Sequence, residues 1–136
     1  MALNIEKFQG LWFVYAELIN CFNTKYKYST IEYTYNKKLN TLSIERTYYD
    51  EDQVSKIYGS GYIENDSLYV RFDDQKFHIH EILWTDYDNY AFIKGKNTYL
   101  ILIKNKDMEV DKKFINTMLS QDNINIDDLY IYRCYI

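Results

Sequence analysis

The chain reads as an all-β domain: an antiparallel up-and-down barrel of eight strands, followed by one C-terminal helix packed on the outside. Three observations predict this. Tyrosine and phenylalanine supply 16 and 7 of the 136 residues, and aromatic side chains suit pleated, half-buried surfaces. Most of the chain alternates apolar and polar residues in short runs divided by Asn, Asp and Gly, with no proline to punctuate the turns. Beyond residue 105 the period lengthens to that of an amphipathic helix.

The elements follow in order. Gly10 to Leu18 (GLWFVYAEL) is a first strand, and Tyr26 to Tyr35 (YKYSTIEYTY) alternates as a second. Asn36 to Asn40 turns the chain into a third strand, Thr41 to Tyr49. After Asp50 to Asp52 comes a fourth, Val54 to Glu64, with Gly59 and Gly61 two apart, the mark of a bulge or a sharp corner. Asn65-Asp66 leads to Ser67–Phe72, and Asp73-Asp74 to Lys76–Trp84. Asn89–Lys94 and Thr98–Lys104 complete the eight, with turns at Asp86 to Asp88 and Gly95 to Asn97. Then Val110, Phe114, Ile115, Met118 and Leu119 form one helical stripe, with Asp107 or Asp111 as its cap. Leu129 to Tyr132 adds a short last strand. Eight strands can close into a barrel that holds one small ligand, and closure removes exposed edges.

With no linker, repeat or composition break, residues 1–136 are expected to form one domain, long enough to bury roughly two-thirds of its unfolded surface. A net charge of −4 argues against a nucleic-acid footprint. Apolar runs such as Tyr99 to Ile103 are too short to span a bilayer as a helix, so membrane association is not indicated. Met1 to Phe8 has no long apolar stretch and no small-residue cleavage site, which leaves two origins open: a chain made without export, or a mature form. Cys21 and Cys134, near opposite ends, are compatible with two thiols or with one long-loop disulfide. No nucleophile elbow, His-Glu-x-x-His or phosphate loop is present, so the chain is expected not to be an enzyme and to need no cofactor.

Phe8-Gln9-Gly10-Leu11-Trp12 resembles the Gly-x-Trp opening of the lipocalins, and Thr85-Asp86-Tyr87 resembles their turn between the sixth and seventh strands. Tyr99 to Asn105 and the helix from Met108 to Ser120 resemble the third conserved region. Asn105 stands where the family carries an arginine, so Lys104 or Arg133 is expected to supply the cation over Trp12. The chain is thus similar to lipocalins, nearest the bacterial lipocalin and apolipoprotein D branch. The resemblance implies that Gly10, Trp12, Thr85, Asp86 and Tyr87 are structural, with Trp12 and Tyr87 at the closed end. It implies a disulfide between Cys21 and Cys134, a secreted mature chain, and a monomer or weak homodimer; the N-terminus leaves a cytoplasmic chain open.

Alternation from Trp12 then gives the inner wall: Val14 and Ala16, then Ser29, Ile31 and Tyr33, then Ile44, Arg46, Ile57, Val70 and Phe72. His78, His80, Ile82, Ala91, Ile93, Tyr99 and Ile101 continue it, with Tyr90, Phe92, Leu100 and Leu102 turned out to the helix. A one-residue slip would flip any of these strands. Arg46, His78, His80, Tyr33 and Tyr99 would make the middle and upper wall polar. That wall suits a fatty acid or lysophospholipid, with its tail inside and its head near Arg46 and the histidines. Two other readings stay open: a protein-interaction module with a collapsed pocket and a tyrosine face, and a haem or tetrapyrrole binder using His78 or His80.

Overall fold

The computed structural model describes residues 2–20, 23–72 and 76–136. Nine strands form one sheet: β1 (Gly10–Leu18), β2 (Tyr28–Asn36), β3 (Thr41–Tyr49), β4 (Val54–Glu64), β5 (Ser67–Phe72), β6 (His78–Thr85), β7 (Tyr90–Gly95), β8 (Thr98–Ile103) and β9 (Leu129–Ile131). Each of β2 to β7 pairs with its successor, and β1 bridges β8 and β2, so eight strands close in up-and-down order. A one-turn helix α1 (Ile5–Phe8) precedes the barrel. The long helix α2 (Lys112–Gln121) lies against the outside and starts later than Met108.

Side-chain chemistry accounts for the boundaries. Asn40, Asn65, Asp66 and Asn97 sit at the tight turns with positive φ, which Asn and Asp tolerate better than other residues. Asp111 caps α2 by accepting from the Phe114 amide at 3.0 Å, while its own amide donates to the Tyr90 hydroxyl at 2.8 Å. Ile115 and Leu119 are buried, and Phe114 meets Trp84 and Phe92 edge-on at 5.2 and 6.0 Å.

The register between β4 and its neighbours runs unbroken, so the two glycines mark a close approach of strands rather than a bulge. A Cβ on Gly59 would lie 2.8 Å from the Phe72 ring, and one on Gly61 would overlap the Tyr69 carbonyl. Backbone cannot step aside as a side chain can. Gly61→Ala is therefore expected to cost at least about 1–3 kcal/mol, read as a lower urea midpoint at constant slope.

Two corrections concern which face residues occupy. The pairing of β1 with β8 shifts register between Val14 and Ala16. That bulge turns Ala16 outward, towards the α2 side, and brings Glu17 into the barrel. On β8 the expected faces are exchanged. Leu100 and Leu102 belong to the interior cluster, while Tyr99, Ile101 and Ile103 pack outside with Ile115 and Leu119. Alternation could not decide this, because both faces of β8 are buried, one by the barrel and one by α2.

The C-terminal segment runs back across the barrel. β2 pairs with β1 only over Gly10–Phe13, and β9 takes the same edge of β1 over Ala16–Leu18. The Tyr132 amide donates to the Tyr15 carbonyl at 3.1 Å, and the Cys134 amide to the Lys27 carbonyl at 3.3 Å. The Cys134 thiol is free and partly buried; Cys21, its expected partner, lies outside the described residues.

Candidate functional site

The two ends of the barrel differ. The end near Trp12 is closed. Trp12 is fully buried, its indole N–H donates to the Phe8 carbonyl at 2.9 Å, and its ring stacks on Phe8 at 5.4 Å. The Lys104 ammonium sits 4.3 Å from the centre of the Trp12 ring, in the role expected of Lys104 or Arg133. Arg133 is at the other end of the chain's path, paired with Asp50 at 3.3 Å. Gly10 adopts φ +114°, and Lys104 would lie 3.5 Å from any Cβ added there.

Thr85, Asp86 and Tyr87 organise the neighbouring turn. The Thr85 hydroxyl donates to the Tyr90 carbonyl at 2.7 Å and accepts from the Tyr87 amide at 2.9 Å. One Asp86 carboxylate oxygen accepts from the Asn89 and Tyr90 amides at 2.8 and 2.9 Å. Although burial opposes it, the hydrogen bonds from Tyr90 and Asn89 hold this carboxyl below its usual range. The Tyr87 hydroxyl accepts from the Asn4 amide at 2.9 Å and so anchors the N-terminal segment.

The opposite end holds a cavity of about 440 Å³. Its apolar wall is Ile31, Val70, Phe72 and Leu100; its polar wall is Glu17, Asn20, Arg46, Tyr48, His78, His80, Lys96, Asn97 and Thr98. Below it the barrel is filled with side chains, among them Leu42, Ile44, Leu68, Ile82, Ala91, Ile93 and Leu102. A wider groove of about 970 Å³ lies outside the barrel, between residues 106–112 and Cys134–Ile136. Lys106, Asp107, Glu109 and Lys112 border it together with Tyr15, Met108, Val110 and Ile136, and it is more open than the inner cavity.

Of the residues expected to line the interior, Ile31, Arg46, Val70, Phe72, His78 and His80 reach the cavity wall. Ile44, Ile82, Ala91 and Ile93 face inward but belong to the filled lower half, and Ile57 packs against the same cluster. Tyr33 is also low rather than on the upper wall: it pairs with Gly10 and packs on Phe8 at 5.1 Å. Ser29 is buried and bonded to Arg46 at 3.1 Å. Ala16, Tyr99 and Ile101 are outside the barrel interior, and the Tyr99 hydroxyl donates to Asp122 at 2.7 Å.

Arg46 is not a free cation waiting for an anionic head group. Its Nη2 donates to Glu17 Oε2 at 2.8 Å, and both residues are buried. The Tyr132 hydroxyl donates to the other Glu17 oxygen at 2.5 Å, and the Arg46 guanidinium lies over the Tyr48 ring at 4.6 Å. The sequence reading missed Glu17, Tyr48 and Tyr132. An acidic residue near the end of an apolar strand, opposite an inward arginine, was the available signal for Glu17.

His80 is mostly buried in the polar wall. Burial, with His78 and Arg46 adding to it, pushes its imidazole down to about 4. The native state therefore resists a proton that the unfolded chain takes up near pH 6.5. This contribution to stability is complete above pH 6.5 and is lost as the pH falls through about 4. Unfolding midpoints measured across that window should fall in the native chain and flatten in His80→Gln. Among the described residues, no group of three His, Cys, Asp or Glu side chains is placed to hold a metal ion.

A closed antiparallel barrel, sealed by a tryptophan at one end and hollow at the other, defines a calyx. This chain belongs to the lipocalin-like domain family, whose model matches residues 3–120. Its fold is similar to that of insecticyanin from the tobacco hornworm Manduca sexta (TM-score 0.76, 19% identity, 96% of this chain and 80% of that one). It is similar also to lobster apocrustacyanin A1 (0.74, 18%, 94% and 78%). A third likeness is to the amine binding protein of Rhodnius prolixus in its tryptamine complex (0.71, 12%, 96% and 81%). No curated protein matches the chain by sequence.

Proposed function

We propose that the chain is a non-enzymatic carrier or scavenger, holding a small hydrophobic or amphipathic molecule of fatty-acid or lysophospholipid type in the upper half of its barrel. Within the family we place it nearest the bacterial lipocalin and apolipoprotein D branch, on Gly10, Trp12 and Thr85–Tyr87, and we expect a monomer or weak homodimer. The cavity carries this reading: it is enclosed by the barrel, apolar on one side and polar towards the mouth. The tail would lie on Ile31, Val70, Phe72 and Leu100. Burying about 200 Å² of apolar surface there would contribute about 5 kcal/mol before the costs of association. The head would meet His78, Lys96 and Asn97 at the mouth, because Glu17 already neutralises Arg46. The bound tryptamine in the Rhodnius protein supports use of this fold for small molecules.

Native mass spectrometry of freshly purified protein, followed by organic extraction, tests the reading. A bound species on the order of a few hundred daltons is the expected result. A clean ligand-free mass, with no displacement of a fluorescent fatty-acid probe, would overturn it.

A further inference from the structure

The outer wall of the barrel is finished in three ways. Over β7 and β8 it is covered by α2, with Phe92, Ile101 and Ile103 packed beneath the helix. Over β2 and β3 it is polar: Ile31, Tyr33, Leu42 and Ile44 face the core, which leaves Glu32, Thr34, Ser43 and Glu45 outside. Over β4, β5 and β6 it is apolar and, among the described residues, uncovered. Val70, Phe72, His78 and His80 line the inner cavity, so their neighbours Tyr69, Arg71, Phe77 and Ile79 point outward. Phe77 and Ile79 are 41% and 52% exposed. Tyr62 stacks on Tyr69 at 4.9 Å and meets Phe77 edge-on at 5.3 Å. Tyrosine, phenylalanine and arginine gathered on one exposed face have the composition of an interface core rather than of a solvated wall.

The strand register sets this face out in three rows. Tyr62, Tyr69 and Ile79 stand opposite one another in the middle row. On one side of it Arg71 stands opposite Ser60, its guanidinium 4.8 Å from the centre of the Phe77 ring. On the other side stand Glu64, Ser67 and Glu81. The apolar row thus separates a basic row from an acidic one. None of the ion pairs among the described residues uses Arg71, Glu64 or Glu81.

We propose that this face binds a second copy of the chain, about a two-fold axis that runs along the row Tyr62, Tyr69, Ile79. Such an axis sets the middle row of each copy against itself and turns the basic row of one onto the acidic row of the other. Arg71, on the central strand of the three, then lies opposite the second copy's Ser67 and between its Glu64 and Glu81. Sheets packed face to face lie about 10 Å apart with their strands within about 30° of each other, a gap that arginine and glutamate side chains span together. The order of charges selects this partner. A face of one sign would repel its own copy, whereas this one complements it. An anionic membrane would attract Arg71 but repel Glu64 and Glu81. Three short rows on three strands cover less than the roughly 800 Å² per partner of a standard interface, so the dimer is a weak one. The inference is independent of what the cavity holds.

Sedimentation velocity from about 5 to about 500 μM tests it, on the native chain and on two charge variants. The native chain should pass from monomer towards dimer over that range, and less readily in about 0.5 M salt. Arg71→Glu sets acid against acid, and Glu64→Lys with Glu81→Lys sets base against base. Each variant alone should associate at least roughly tenfold more weakly than the native chain, with unchanged circular dichroism because these positions are exposed. An equimolar mixture of the two should regain the native affinity, since each copy then meets the opposite charge on the other. A native chain that stays monomeric to the top of the range would overturn the proposal, and binding of that monomer to vesicles of phosphatidylcholine and phosphatidylserine would give the face to a membrane instead. A dimer that survives in both variants, or a mixture no tighter than its components, would also overturn it.

Discussion

Glu17→Ala is expected to destabilise the fold by about 3–5 kcal/mol, a large share of a typical domain's total. The reason is geometric. Glu17 and Arg46 are 6% and 8% exposed, so removing the carboxylate leaves a guanidinium in the wall with no counter-charge. It also removes the acceptor of the Tyr132 hydroxyl, the contact that draws the C-terminal segment into the barrel. Glu17→Gln keeps the shape and one acceptor, and should lose less. Replacing both charges, Glu17→Met with Arg46→Met, should recover much of the loss, because a buried pair is worth little more than apolar side chains of similar size. Denaturant unfolding of the native chain, Glu17→Met, Arg46→Met and the double variant gives a double-mutant cycle. A Glu17→Ala midpoint equal to that of the native chain would refute the argument. The C-terminal segment offers a second readout: cleavage after Arg133 by trypsin should be faster in Glu17→Ala than in the native protein.

This pair also shows what the sequence could and could not disclose. Turn chemistry was legible residue by residue, since Asn65-Asp66 and Gly95 to Asn97 turn where their left-handed tolerance allows. Strands β1, β3, β4 and β5 have the bounds that alternation predicts, because each exposes one face of its pleat for at least part of its length. Facing failed at two places for two reasons. A bulge between Val14 and Ala16 shifts the phase of β1 midway, and no residue in GLWFVYAEL announces it. Strand β8 buries both faces, so its six residues carry no alternation to read. Glu17 and Tyr132, 115 residues apart, meet only because β9 fills the edge of β1 that β2 leaves. The missing motif arginine was a smaller matter: one residue earlier, Lys104 is long enough to reach the Trp12 ring.

Ile31→Asp and Ile101→Ala should separate binding from stability, although alternation alone put both residues on the inner wall. Ile31 lines the cavity opposite Arg46, so a carboxylate there replaces apolar wall with charge. Displacing a bound fatty-acid probe from Ile31→Asp should take far less competitor, an affinity loss of about 30- to 100-fold for 2–2.7 kcal/mol of lost apolar contact and added desolvation. The fold should survive below its lowered midpoint, because Arg46 lies on the neighbouring strand to share the new charge. Ile101 is fully buried but lies outside the barrel, against α2. Its truncation should cost about 2–5 kcal/mol of stability by leaving a cavity between sheet and helix, while the affinity of the folded protein stays within about twofold. The two readouts move in opposite patterns only if Leu100 and Leu102, not Ile101, are the inward residues of β8. A large affinity loss in Ile101→Ala, measured where circular dichroism shows native structure, would return Ile101 to the cavity wall and undo the assignment of Leu100 with it.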